Sequence, residues 1–213
     1  MPSTLRGTII AATRNHDKVV RIGRLIGGQY GLAPLPDGVS LKEPDPDRLP
    51  RAAGDPFAAI AMAKAVSASS LLDGAMTIAT DGGLVVPALG DRWQPARTRR
   101  FAGAHATNRE RAEALLALAA DLEGDERRVH WREAVAVSRD GAVVLTATAE
   151  SRPGCLATGL TDWTDDGQGF WVHVLWRDSR GGAAPHGAAD EHWERLGAIV
   201  GPFLSGLTER IQR

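Results

Sequence analysis

The chain has 213 residues, of which 43% are hydrophobic and 24% charged, with a formal net charge of -1. This composition is ordinary for a soluble globular protein, and the balanced charge gives no reason to expect nucleic acid or an anionic membrane as a partner. The single cysteine excludes an internal disulfide. No stretch is apolar enough to span a bilayer and no signal peptide is evident, so we expect a cytoplasmic protein.

The first predicted elements are a short buried strand at 8–12 and an amphipathic helix at 17–26. Because the first backbone N–H groups of a helix lack partners and carry partial positive charge, such a turn can bind an anion, most often phosphate. Thr13, Asn15 and Lys18 occupy this turn, where the Asn15 amide and the Lys18 ammonium group can donate to a phosphate. The alternative is an ordinary turn with a solvated lysine.

A second strand is predicted at 30–35, and a surface loop rich in Pro, Asp and Arg at 34–55. Asp55 followed by Pro56 is typical of a helix start, and we expect this helix to end near Ser69.

A strand predicted at 75–79 leads into Thr80-Asp81-Gly82-Gly83, which we interpret as a turn. Carboxylates at the carboxyl ends of strands in α/β folds line the crevice where ligands bind. Asp81 is therefore a candidate to hold Mg²⁺ or to take a proton from water. The alternative is an ordinary turn residue.

In the second half, Thr107 and Glu110 have the spacing of a capping box, and the helix that follows is expected to end at Gly124. Two alternating segments flank Asp140-Gly141, which predicts a β-hairpin. The remaining predictions are hairpin strands at 129–138 and 142–151, further strands at 155–158 and 170–176, a flexible loop at 179–189, and a last helix from near Asp190 that is bent or broken at Gly201-Pro202. This order of elements predicts an α/β fold with a mixed sheet.

Five short motifs, in their order, resemble those of the inosine/xanthosine-triphosphate pyrophosphatase family. Members of that family cleave aberrant purine nucleoside triphosphates to the monophosphate and pyrophosphate. The matching segments are 12–18 (family pattern Ala-Thr-Gly-Asn-x-x-Lys), 63–65 (Lys-Ala after a helix), 79–84 (Ala-Asp-Asp-Ser-Gly-Leu), 99–103 (Ala-Arg-Tyr-Ala/Ser-Gly) and 169–171 (Gly-Phe-Gly-Tyr/Trp).

The resemblance implies a role for each matched residue. Asp81 would activate water or hold Mg²⁺, Phe170 would stack on the purine, and His192 would read its 6-keto oxygen. The phosphates would be bound by Thr13, Asn15, Lys18, Lys64 and Arg100. The resemblance also implies one pyrophosphatase-like domain over 1–213, with a central twisted sheet, flanking helices and a cleft between two lobes. The expected assembly is a homodimer.

Two carboxylates of the family pattern are missing. The family pairs two aspartates where this chain has Thr80-Asp81, and its metal-binding glutamate corresponds here to Arg51 or Ala52. Unless an acidic residue substitutes, Mg²⁺ binding should be weakened; the available acidic residues are Glu43, Asp45, Asp47 and Asp55. We therefore keep a second hypothesis from another class, a catalytically weakened nucleotide-binding or assembly paralogue. The retained Asn15, Lys18 and Asp81 favour the enzyme.

Overall fold

The computed structural model describes residues 7–28, 30–42, 54–98, 100–160, 171–178 and 190–211. Its helices are α1 (His16–Leu25), α2 (Pro56–Leu71), α3 (Asn108–Leu118) and α4 (Glu191–Ile211). Its strands are β1 (Thr8–Ala11), β2 (Gly31–Ala33), β3 (Thr77–Val85), β4 (Arg128–Arg139), β5 (Ala142–Glu150), β6 (Gly154–Leu156) and β7 (Trp176–Arg177). The chain forms two compact units: Met1–Asp81 with Glu133–Ala149 and His192–Arg213, and Gly82–Arg132 with Glu150–Glu191.

In the first unit, β1 lies between β2 and β3 and is parallel to both. β4 is the next strand beyond β3, and β5 pairs with β4 as the predicted hairpin. Asp140 and Gly141 both have positive φ (53° and 71°), as a two-residue hairpin turn requires. The core of this unit is mainly aliphatic, with Ile9, Ile22, Ile78, Val135 and Leu196 almost fully buried.

Two helices of the first unit begin at side-chain caps, of which the cap at Asp55 is the predicted one. The Asn15 side chain accepts a hydrogen bond from Lys18 N at the start of α1, and Asp55 accepts one from Phe57 N at the start of α2. The last helix was predicted to be bent or broken at Gly201-Pro202, and it is not broken there, because α4 continues through Pro202. A helix can tolerate proline when neighbouring packing holds it in place, and Val200 and Leu204, on either side of Pro202, are fully buried.

In the second unit, β4 pairs with β6 and β6 pairs with β7, both antiparallel. The Thr107–Glu110 capping box is confirmed: the Thr107 side chain accepts a hydrogen bond from Glu110 N, and the Glu110 side chain accepts one from Thr107 N. The regular helix ends at Leu118, short of the predicted Gly124. The core is rich in tryptophan, with Trp93, Trp131, Trp171 and Trp176 almost fully buried.

Two other predictions of secondary structure are wrong. The expected turn at Thr80-Asp81-Gly82-Gly83 is part of the continuous strand β3, and neither glycine has the positive φ of a tight turn. The expected strand at 170–176 is a 3₁₀ helix at Trp171–Leu175 followed by the two-residue strand β7. This apolar run is short enough that periodicity cannot separate a strand from a buried helical turn.

The mixed sheet with flanking helices confirms the predicted α/β class. The predicted flexible loop at 179–189 lies outside the described residues. No helix in the described part of the chain is both long and apolar enough to cross a membrane.

Candidate functional site

The turn between β1 and α1 is held by hydrogen bonds to the side chains of Thr13 and Asn15. Asn15 N donates to Thr13 Oγ1 at 3.1 Å, and Asn15 Oδ1 accepts from Lys18 N at 3.2 Å. Because Oδ1 is used by the helix, the exposed Asn15 side chain has its amide NH₂ group to offer to a ligand. The turn therefore presents the donors of a helix N-terminus beside a side-chain amide.

The turn after β1 lies next to Thr80 in the first unit. β1 and β3 are parallel neighbours, with Ala11 opposite Ile78, so the residues that follow the end of β1 lie beside the residues of β3 that follow Ile78. Lys18 Nζ donates to the Thr80 carbonyl oxygen at 3.4 Å. It also donates to Glu133 Oε1 at 3.1 Å, where Glu133 lies on β4.

A second lysine reaches the same segment of β3 from another helix. Lys64 lies on α2, and its Nζ donates to Asp81 Oδ1 at 2.9 Å. Only 14% of the Lys64 side chain and 16% of the Asp81 side chain are exposed, so this ion pair is much less screened by solvent than a surface pair. Lys18, Lys64, Thr80, Asp81 and Glu133 together form what we call the lysine–carboxylate cluster.

Glu133 is the most deeply buried member of this cluster that can ionise. Its side chain is 8% exposed. Burial raises the pKa of the Glu133 carboxyl above its usual value, and the charge of Asp81 raises it further, while Lys18 and the Thr80 hydroxyl act in the opposite direction. Glu133 and Asp81 therefore lie close enough for each carboxylate to feel the charge of the other.

The distribution of lysine supports a role for this cluster. The chain contains 25 basic residues but only three lysines, Lys18, Lys42 and Lys64. Two of the three belong to the cluster, and each contacts a carboxylate there. A lysine ammonium group is a compact point charge that can move between a carboxylate and a phosphate, which suits a site that exchanges ligands.

Arg14 occupies the position of a glycine in the family pattern. Its guanidinium donates to the Val39 carbonyl at 2.8 Å and pairs with Asp37 at 3.8 Å. The side chain thus attaches the 36–39 loop to the turn. A cavity of about 420 Å³ adjoins the turn on this side, lined in part by Thr13, His16 and Leu35.

The other predicted site residues do not all fall in this region. Arg100 lies in the second unit, in an exposed turn. His192 is buried in the first turn of α4, with its ring 5.9 Å from that of Trp193. Phe170 lies outside the described residues, as do Arg51, Ala52, Glu43, Asp45 and Asp47. Asp55, a candidate replacement metal ligand, caps α2.

Sequence reasoning missed Glu133, although a signal for it was present. Val129, Trp131, Glu133, Val135 and Val137 alternate along β4, and the structure buries all five. An acidic residue in phase with the apolar face of a strand must be buried, and a buried carboxylate needs a partner. The partner here is Lys18.

The comparison with protein families supplies the decisive observation. The model of the Ham1 family matches residues 9–159, which is well over half of the chain. The chain belongs to the Ham1 family. This match confirms the resemblance seen in the sequence motifs.

Curated relatives agree with this assignment. The chain is 30% identical over 166 residues to a protein from Bifidobacterium animalis subsp. lactis named dITP/XTP pyrophosphatase, covering 76% of this chain and 64% of that protein. It is 31% identical over 172 residues to a protein of the same name from Bifidobacterium longum subsp. infantis, covering 78% and 65%. The match thus spans slightly less than two thirds of the length of these relatives.

Solved structures of Ham1 proteins share the fold. The HAM1 protein from Coxiella burnetii has a TM-score of 0.70 at 19% identity, covering 91% of this chain and 98% of that one. The Ham1 protein from Staphylococcus aureus has a TM-score of 0.72 at 19% identity, covering 93% and 98%.

Proposed function

We propose that this Ham1 protein hydrolyses purine nucleoside triphosphates to the nucleoside monophosphate and pyrophosphate. One observation carries the proposal: Lys18, from the first turn of α1, and Lys64, from α2, meet at residues 80–81 of β3. Two cations and a helix N-terminus beside one segment of β3 suit a polyphosphate, and the adjacent Asp81 suits hydrolysis. The names of the Bifidobacterium relatives favour dITP and XTP as substrates.

In this proposal the phosphates are held by the first unit. The backbone N–H groups at the start of α1 and the Asn15 amide donate to phosphate oxygens, and Lys18 and Lys64 add positive charge. Water attacks the α-phosphorus, a new P–O bond forms, and the bond from the α-phosphorus to the α,β-bridging oxygen breaks. Pyrophosphate leaves with the electrons of that bond, and the proton of the water passes to Asp81.

The residues of the cluster fit Mg²⁺ as the cofactor that the resemblance implies. No group of three or more His, Cys, Asp or Glu side chains within the described ranges is placed to hold a metal. Mg²⁺ is, however, usually bound by one or two carboxylates together with substrate phosphates. Asp81 would be such a ligand, since a carboxylate has about four lone-pair sites and can also accept a proton. When bound, Mg²⁺ would neutralise charge on the phosphates.

The experiment is a pyrophosphate-release assay with ITP, XTP, ATP and GTP, with and without Mg²⁺. We expect turnover of ITP and XTP, and a loss of about 100-fold or more in Asp81→Asn, because a carboxylate that accepts the proton has been removed. The matched control is Asp125→Asn, since that carboxylate is 86% exposed and its ion pair with Arg128 lies at the surface.

The assay also separates the two hypotheses. Nucleotide binding by calorimetry without pyrophosphate release would support the nucleotide-binding paralogue, which the threonine at position 80 favours. Neither binding nor turnover would overturn both. The roles given to Arg100, Phe170 and His192, the homodimer and the cytoplasmic location stay predictions.

A further inference from the structure

Glu133 is a buried carboxylate that the mechanism above does not use. It lies on β4, faces Lys18 at 3.1 Å, and feels the charge of Asp81. A buried ionised carboxylate is costly unless it is paired, and a leucine or valine would fill the same strand position at no such cost. Its presence beside the proposed phosphate site therefore calls for a chemical reason.

The surroundings of Thr80, which lies beside Glu133, suggest what this reason is. It is 1% exposed, and its hydroxyl lies beside the Glu133 carboxyl but makes no hydrogen bond of ordinary length and angle with any residue that the structure describes. Position 80 is also where the family pattern has the first of its two aspartates. The carboxylate that β3 lacks at this position is thus present next to it, on the neighbouring strand β4.

The charges of the cluster match a cation–triphosphate complex better than a free triphosphate. A free triphosphate would meet two lysines but also two carboxylates that repel it. A divalent cation bound to the triphosphate replaces this repulsion by attraction, because the cation can face the carboxylates while the phosphate oxygens face the lysines.

We propose that Glu133 supplies the second carboxylate of the site and, with Asp81, holds the divalent cation that accompanies the triphosphate. This proposal rests on the proposed function, because it assumes that the cluster binds a nucleoside triphosphate. It assigns to β4 the ligand that the resemblance places on β3. Lys18 then moves from the Glu133 carboxylate to the phosphates as the cation binds.

The test measures cation binding directly. Mn²⁺ binding is followed by electron paramagnetic resonance, with and without the α,β-methylene analogue of ITP, for the wild type and Glu133→Gln. A third protein, Thr80→Asp/Glu133→Gln, moves the carboxylate from β4 to β3. The control is Glu150→Gln, which removes a half-exposed carboxylate from β5. Circular dichroism checks that each variant is folded, and Glu133→Asp is measured in case Glu133→Gln does not fold.

We expect Glu133→Gln to weaken Mn²⁺ binding by about tenfold or more, as one charged ligand is lost. Thr80→Asp/Glu133→Gln should recover most of it, Glu133→Asp should be intermediate, and Glu150→Gln should match the wild type. Wild-type affinity in folded Glu133→Gln, or in Glu133→Asp if only that variant folds, would overturn the proposal, as would a wild type that binds no Mn²⁺. If Mn²⁺ binding depends on Glu133 but no triphosphate is hydrolysed, only the proposed function fails.

Discussion

The two compact units bury positive charge in different ways. In the second unit, the Arg127 guanidinium is buried and donates to the backbone carbonyl oxygens of Leu156, Ala119, Leu122 and Ala157. In the first unit, Lys18 and Lys64 face the carboxylates of Glu133 and Asp81. Backbone carbonyls are part of the fold and cannot exchange for a ligand, whereas a lysine can exchange a carboxylate for a phosphate. Arg127 is therefore a structural cation, whereas Lys18 and Lys64 are cations that suit the binding of a ligand.

The hydrophobic cores of the two units also differ, in line with a structural second unit and a binding first unit. The second unit is packed with aromatic rings, such as Trp93, which meets Phe101 edge to face with ring centroids 4.9 Å apart. The first unit has an aliphatic core and carries the lysine–carboxylate cluster, whose carboxylates lie on β3 and β4. If this division is functional, substitutions in the two units should affect different measurements.

The largest expected effect is on stability, in the second unit. Leu115→Ala removes a fully buried side chain of α3 and should lower the free energy of unfolding by about 2–5 kcal/mol, because it leaves a cavity. Urea denaturation measures this change. Leu71→Ala is the control, since Leu71 is 57% exposed and its loss should cost less than about 0.5 kcal/mol. Equal losses in the two variants would contradict the packing described for α3.

A smaller effect is expected on binding, in the first unit. Lys64→Ala should weaken binding of a triphosphate analogue by about 10- to 100-fold, because one charged hydrogen bond is lost. The measurement is calorimetry with Lys42→Ala as control, since Lys42 is exposed and its backbone N–H donates to Ser67 Oγ. If the two variants bound equally, the cluster would not be the phosphate site.

The smallest expected effect is a pH dependence of stability. Because burial raises the pKa of Glu133, the folded state holds this proton more tightly than the unfolded chain does. The stability of the wild type relative to Glu133→Gln should therefore fall as the pH rises above about 4.5, until the carboxyl is ionised in both states. Urea denaturation of both proteins in EDTA measures this difference. A difference that grew with pH would show that the carboxylate is not penalised by burial.

Much of the fold could be predicted because its signals are local. Asp55-Pro56, the Thr107–Glu110 box and Asp140-Gly141 each fix a cap or a turn through contacts within a few residues, and the structure confirms all three. Thr80–Gly83 shows the limit of such signals. Glycine pairs favour turns locally, but here strand pairing keeps them extended.

The candidate site was less accessible from the sequence, because its contacts are long-range. Lys18 and Glu133 are separated by 115 positions, and Lys64 and Asp81 by 17. The family resemblance assigned Lys18 and Lys64 to the phosphates and Asp81 to water or Mg²⁺. Glu133 matches no motif, so only the alternation of β4 together with the sheet order could have located it.

The most direct test of the central claim is a backbone-amide NMR titration with a magnesium complex of a non-hydrolysable ITP analogue. If the triphosphate binds at the turn after β1, the amides of Asn15–Lys18 and of Thr80 and Asp81 should shift, and the buried amides of α3 around Leu115 should stay in place. Saturable binding that leaves the amides of Asn15–Lys18, Thr80 and Asp81 unchanged would contradict the claim.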